Sequence, residues 1–365
     1  MGGAHNEEKR KYPGLKLVDY PKHRTPWWQS SGTTLSADGT PLAFASGGPS
    51  GGATESGPTD NGATRSGPAG GRALVCANGV GVSTFFWDYV GAYFSSMGYR
   101  VVVWDYPGHG ASASPADPRA VTIASLADDM SRVMDANGIE SAVLLGHSLG
   151  CQVILEFYRL FPERVAGLIP ILGAFGRPAS TFIDPRVGEA LYRGAYRAAS
   201  LAPDFLSVFL RVVLSKPVTW QLARLTGLVH PDLARREDME PYLEHLSRLD
   251  VRIFFEFVRA AQAHDAGPVL GTFDVPALVI GGERDLFTPW RLSIEMAERM
   301  PRAELLEIPR GSHAALIEQP ELINLRIEKF IRESVIPFEA AKLRRKELEP
   351  GSLNRAKLDP AKLDR

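Results

Sequence analysis

Five short apolar runs, ALVCA (73–77), YRVVVWD (99–105), SAVLLG (141–146), AGLIPIL (166–172) and PALVIGG (276–282), constrain this chain more than any other feature. Each has strand length, both of its faces are apolar, and helical segments separate one run from the next. A strand that is apolar on both faces must be covered on both, and a parallel sheet between two layers of helix does this repeatedly. The expected fold class is therefore α/β. Ahead of these runs, TTLSADG and PLAFASG read as a leading hairpin that turns at Asp38-Gly39.

Three stretches fall outside this rhythm. Residues 1–32 form a basic arm containing Lys9, Arg10, Lys11, Lys16, Lys22 and Arg24, ending near Trp27 and Trp28. Residues 47–71 are almost entirely Gly, Ser, Thr, Pro and Ala, with GATESGP (52–58) repeated as GATRSGP (62–68). So little apolar surface cannot offset the entropy of ordering, and the segment reads as an expanded loop inside a domain. Residues 337–365 repeat an Ala-Lys-Leu unit around prolines that block a long helix, and read as a solvated tail.

The remaining residues suit one α/β domain with an insertion better than two equal domains. Its parts are expected at 33–174 and 267–336. Between them, 175–266 lacks strand runs and carries Leu, Phe, Tyr and Arg at helical spacing, as a helical cap over an apolar cleft would.

Composition excludes several classes. Hydrophobic residues make up 44% and charged residues 23%, ordinary globular usage. The formal charge of −1 gives no global attraction to nucleic acid or to anionic membranes, so any partner must be recognised locally. Cys76 and Cys151 are the only cysteines and lie in no CxxC or Cys/His cluster, which argues against a disulfide scaffold and structural zinc. No GxxxxGK[ST] or GxGxxG stands between a strand and a helix, so no nucleotide, other cofactor or metal is expected. The N-terminus lacks the apolar stretch of a secretory signal, Asn6 spoils a myristoylation signal, and no window of about 18 apolar residues offers a membrane span. A cytoplasmic protein is expected.

The strongest local signal is Gly146-His147-Ser148-Leu149-Gly150, between SAVLLG and the helical CQVILEFYRLFPERV. A tight strand-to-helix turn needs small residues two positions either side of its centre, and it lifts the central side chain above the helix N-terminus. A serine hydroxyl is a poor nucleophile at neutral pH and needs a base, whose tautomer must be held by a third group. His313 follows the strand-like AELLEIP (303–309), and Asp285 follows PALVIGG. Both lie just past strand C-terminal ends, where parallel sheets place ligand sites. Asp184 is a weaker alternative acid.

With these segments in place the chain resembles the α/β-hydrolase fold superfamily, in its serine esterase- and lipase-like members with a helical cap, over approximately residues 33–335. Asp105-Tyr106-Pro107-Gly108-His109-Gly110-Ala111-Ser112 matches that family's DxxGxGxS loop, and Asn78-Gly79 stands at its HG turn, with Asn replacing His. The resemblance implies a catalytic Ser148, Asp285 and His313, and an oxyanion hole formed by the backbone N–H groups of Val80 and Leu149. It places Asn78, Gly79 and His147 in the lining of the site, with His109 a further candidate. Ser148 at the elbow argues against haloalkane dehalogenase and epoxide hydrolase chemistry, where similar proteins use aspartate.

The expected function is a serine hydrolase acting on a carboxylic ester or related acyl bond of an apolar small molecule. An acyltransferase, lactonase, thioesterase or C–C bond hydrolase would use the same three residues. Two other classes remain: a ligand-binding protein on the same fold without turnover, and a scaffold whose tails recruit partners.

Overall fold

The computed structural model describes residues 26–49, 72–178, 185–214, 217–225 and 229–348. The basic arm up to residue 25, the repeat-bearing loop at 50–71, Asp184, and the tail from 349 onward lie outside the described residues.

Eight strands form one sheet: β1 (Ser30–Leu35), β2 (Pro41–Gly47), β3 (Ala73–Ala77), β4 (Arg100–Trp104), β5 (Ala142–His147), β6 (Val165–Ile171), β7 (Ala277–Gly282) and β8 (Ala303–Ile308). Their order is β1-β2-β4-β3-β5-β6-β7-β8. The first two strands pair antiparallel, with β2 antiparallel to β4, and every later pair is parallel. The hairpin turns where expected, with Gly39 at a φ of +85° and the Thr40 N–H donating to Asp38 Oδ1 at 2.9 Å.

Alternate side chains of each parallel strand feed two separate cores. Ala73, Val75 and Ala77 of β3 join one apolar cluster, whereas Leu74 and Cys76 join the other. The first cluster is covered by α2 (Ile123–Ala136) and α3 (Leu149–Leu160), and the second by α1 (Asp88–Ser96). Strands β3 and β5 to β7 are buried at every position, as their continuous apolar runs require, while β8 at the sheet edge is only partly covered. Both cysteines are buried and free.

Between β6 and β7 lie five helices: α4 (Pro185–Leu201), α5 (Pro203–Leu214), α6 (Pro217–Leu225), α7 (Arg236–Arg248) and α8 (Val251–Ala263). After β7 come α9 (Trp290–Arg299), α10 (Ala315–Glu318), α11 (Pro320–Phe330) and α12 (Ile336–Leu348).

Both ends of the folded core extend beyond the expected limits. Trp27 packs so closely on helix α1 that a Cβ on Gly91 would sit 2.1 Å from its indole, and its Nε1–H donates to Asp88 Oδ1 at 3.2 Å. The arm expected through residue 32 is thus part of the core from Trp27. At the other end, the tail expected from residue 337 is helical as far as Leu348. Pro337 does not stop the helix, because a π turn at Ile331–Val335 widens the backbone just before the proline, where an N–H is missing. Phe338 then packs against the first core, with the Arg302 guanidinium 5.3 Å from its ring centroid.

The strand order sets where a site can form. The chain leaves β3 toward β4 on one side and later returns to pair β5 on β3's other side. This switch point opens a crevice beyond the strand C-terminal ends, flanked by the loop after β3 and the turn after β5.

Candidate active site

Ser148 occupies the turn between β5 and α3 with φ 54° and ψ −116°, a conformation that costs a non-glycine residue about 1–3 kcal/mol. The two glycines of the motif are there because nothing larger fits. A Cβ on Gly146 would lie 2.3 Å from the Gly150 carbonyl oxygen, and one on Gly150 would lie 2.1 Å from that of Ala77. Gly173, which the sequence reading overlooked, completes the enclosure, since its Cβ would meet Cys151 Sγ at 2.1 Å and the Ser148 carbonyl at 2.6 Å.

The structure brings together three residues separated by up to 165 positions. The Ser148 hydroxyl lies 3.0 Å from His313 Nε2 and can donate to it. His313 Nδ1–H donates to Asp285 Oδ2 at 2.8 Å. Asp285 is buried, and burial, the largest influence, raises its pKa; the charge and hydrogen bond of His313 and the bonds from Thr288 outweigh it and hold the carboxyl below its ordinary value. The Thr288 hydroxyl donates to Oδ2 at 2.6 Å, and the N–H groups of Phe287 and Thr288 donate to Oδ1 at 2.8 and 2.9 Å. This Asx-type turn in Asp285-Leu286-Phe287-Thr288 is a sequence signal that was available and unread.

His313 is fixed from two sides. His147 Nε2–H donates to the His313 carbonyl at 3.1 Å, and burial followed by the nearby His313 pushes the His147 pKa down to about 3, so this ring stays neutral. Next to His313, the Ser312 hydroxyl donates to Glu318 Oε1 at 2.7 Å, and the same oxygen accepts the His230 N–H at 2.7 Å. Glu318 therefore ties the loop bearing His313 to the segment between α6 and α7. Nothing in the sequence pattern marked it.

The loop after β3 lies opposite. Gly79 and Val80 face the cavity beside Ser148, and a Cβ on Gly79 would come within 3.1 Å of the Ser148 Cβ. Gly81, at φ +70°, donates its N–H to His109 Nε2 at 3.2 Å, while His109 Nδ1–H faces the Pro107 carbonyl at 3.2 Å. Burial pushes the His109 pKa down to about 3, which keeps this tautomer neutral. His109 is thus a brace behind the loop, outside the lining. Leu149 begins α3, so its N–H has no acceptor within the helix.

Asn78 corrects an expectation. It is wholly buried and stands behind the loop, away from the cavity lining. Its Nδ2–H donates to the Trp104 carbonyl at 2.7 Å, its Oδ1 accepts Trp87 Nε1–H at 2.7 Å, and its carbonyl accepts the Tyr106 hydroxyl at 2.8 Å. The carboxamide is both donor and acceptor there, which explains how an asparagine can hold this turn. Of the three residues expected to line the site, Gly79 and His147 do so.

A cavity of about 700 Å³ opens above Ser148. Its far wall comes from the inserted helices, with Leu191, Trp220, Leu243 and Phe254 facing Ser148, Leu149 and Phe86 on the sheet side. Among the described residues lining it there is no Lys, Arg, Asp or Glu.

A model of the alpha/beta hydrolase fold matches residues 72–320. The chain belongs to the α/β-hydrolase family. It is 30% identical over 273 residues to the 2-hydroxy-6-oxononadienedioate/2-hydroxy-6-oxononatrienedioate hydrolase of Burkholderia vietnamiensis, a match covering 72% of this chain and 88% of that protein. Among solved structures, an esterase from Thermogutta terrifontis shares the fold with a TM-score of 0.62 at 21% identity, over 83% of this chain and 98% of that one. The enol-lactonase of Burkholderia xenovorans does so with a TM-score of 0.63 at 20% identity, over 83% of this chain and all of that one, 100%. These two likenesses concern the fold alone.

Proposed function

We propose that this α/β-hydrolase family member is a serine hydrolase that cleaves esters with an apolar, uncharged acyl group. One observation carries the reading: a hydroxyl and an imidazole 3.0 Å apart, the imidazole backed at 2.8 Å by a buried carboxylate, stand at the floor of a cavity whose described lining is uncharged and mostly apolar.

In this mechanism His313 Nε2 takes the Ser148 proton as Oγ attacks the ester carbonyl. The developing oxyanion accepts the N–H groups of Val80 and Leu149, two backbone donors set in place before the reaction. Collapse breaks the bond to the alcohol oxygen, which leaves with the proton from His313. Water then enters, gives a proton to the same imidazole and attacks the acyl carbon. The acid departs and the proton returns to Ser148 Oγ. Asp285 remains ionised throughout, holding Nδ1–H toward itself and stabilising the transient imidazolium. The inserted helices act as the cap that excludes water.

The identity to the Burkholderia vietnamiensis enzyme favours a second reading, C–C bond hydrolysis by the same residues. The dioate in that protein's name carries two carboxylates, which need cationic or strong donor partners once buried. The lining here supplies no Lys or Arg among its described residues. This favours the uncharged acyl group.

The test is a p-nitrophenyl ester series from acetate to laurate beside the 2-hydroxy-6-oxo dioate. Each buried methylene contributes about 0.8 kcal/mol, so kcat/KM should rise at least about tenfold between acetate and octanoate. A flat series, or cleavage of the dioate with no ester turnover, would overturn the ester reading.

A further inference from the structure

The near-neutral charge of the chain conceals an uneven distribution. The described residues of α4, α5 and α6 contain five arginines, Arg186, Arg193, Arg197, Arg211 and Arg224, against the two acids Glu189 and Asp204, an excess of three positive charges. Both acids are engaged by arginines, Glu189 by Arg193 at 2.9 Å and Asp204 by Arg252 of α8 at 3.2 Å. Residues 229–263, the other half of the insertion, carry five arginines against seven acids.

Among the described residues, the same three helices carry the most exposed of the large apolar side chains. Leu201 is 82% exposed, Phe205 74% and Leu225 84%, and Val208, Phe209 and Val212 are more than half exposed. On α5 the inner face is also apolar, with Leu206, Leu210 and Leu214 partly covered, so this helix is hydrophobic nearly all round. A helix of that kind ordinarily belongs in a core or in lipid. At 12 residues it is about 18 Å long, too short to cross a hydrocarbon layer of about 30 Å. No helix among the described residues is long and apolar enough to cross a membrane. The Phe205 and Phe209 rings lie stacked 6.4 Å apart one turn from each other, forming a continuous apolar ridge.

This surface runs into the mouth of the cavity. Leu191 and Leu222 are each more than half exposed and also line the cavity, and Leu214, the last residue of α5, lines it as well. Arginines border the ridge at helical neighbour positions: Arg193, Arg197 and Leu201 follow one another at four-residue steps on α4, and Arg211 lies three residues from Val208 on α5.

We propose that α4–α6 dock on an anionic lipid surface, with Phe205, Phe209 and Leu201 entering the acyl boundary and the arginines facing the headgroups. The cavity mouth then opens toward the lipid, so an apolar substrate dissolved there reaches Ser148 without passing through water. The cationic excess sits where the apolar ridge is, and this selects an anionic bilayer over a neutral one and over an acidic-and-basic protein face. Docking does not require that the substrate be an ester, and it is tested by binding alone.

The full-length chain is mixed with phosphatidylcholine vesicles, with and without phosphatidylglycerol, and separated by flotation. Wild type should float with the anionic vesicles, and added salt should weaken that binding. Phe205→Ser/Phe209→Ser should weaken it at least about tenfold. Arg197→Glu, at an exposed site, should weaken binding about tenfold to anionic vesicles and leave the weak binding to neutral ones unchanged. Melting temperatures within a few degrees of wild type verify that the variants are folded. Wild type that stays out of the anionic vesicle fraction overturns the proposal, as does binding that neither variant alters. A dimer that the double serine variant dissolves, in a protein that does not float, overturns it in favour of a second copy of this chain as the occupant.

Discussion

Ser148→Ala is expected to lower kcat/KM for the preferred ester by at least about 10⁴-fold while leaving the fold intact. The hydroxyl's hydrogen-bond partner is the His313 ring, so its removal deprives no structural group of its only partner. The turn itself is held by the Ser148 N–H donating to the Ile171 carbonyl at 3.1 Å and by glycines at 146, 150 and 173 that leave no room for another path. On the proposed mechanism the Val80 and Leu149 N–H groups would still polarise the carbonyl oxygen after the substitution, leaving a small residual rate. Steady-state kinetics and a melting curve on the same preparation check both halves. Activity within tenfold of wild type would remove Ser148 from the chemistry.

His313→Ala should have a comparable effect, a loss of about 10³–10⁶-fold in kcat/KM. The ring links Ser148 Oγ to Asp285, at 3.0 and 2.8 Å. Its loss also takes from buried Asp285 one of its four hydrogen-bond donors, the others being the Phe287 and Thr288 N–H groups and the Thr288 hydroxyl, so some loss of stability accompanies the loss of rate. Rescue separates the two causes. Imidazole added to the variant should recover at least about tenfold of the lost turnover, because the space vacated by the ring opens onto the cavity. A purely structural role for His313 predicts no such recovery.

Much of this arrangement was legible in the residues. Apolar runs without alternation at β3, β5, β6 and β7 could be buried only on two faces, and every one of their positions is buried. Gly146 and Gly150 bracket a serine at spacing that only a crowded turn requires, and carbonyl oxygens stand 2.1–2.3 Å from where their Cβ atoms would be. His313 and Asp285 were legible because each follows a strand, and strand ends in a parallel sheet converge.

What escaped was decided by contacts between distant segments. Asn78 was assigned to the lining from its place at the HG turn of the family it resembles, yet its side chain turns back to Trp87 and Trp104, a direction that depends on where α1 and β4 pack. No local pattern marks Glu318, which joins Ser312 to His230, 88 positions before it. The tail was expected from residue 337 because of the prolines among its Ala-Lys-Leu repeats, yet the chain runs on past a π turn as a helix to Leu348. The exposed apolar ridge of α5 was read as cavity-facing, since periodicity marks an apolar face without saying what covers it.

The central claim is that Ser148 carries the acyl group between attack and hydrolysis. Wild type mixed with excess p-nitrophenyl octanoate, quenched in acid within the first turnover and digested, should yield the peptide containing Ser148 heavier by one octanoyl group, together with a burst of p-nitrophenol. Ser148→Ala should yield neither. Full turnover of the ester with the Ser148 peptide unmodified at every quench time, or the octanoyl group found on another residue, would contradict the account.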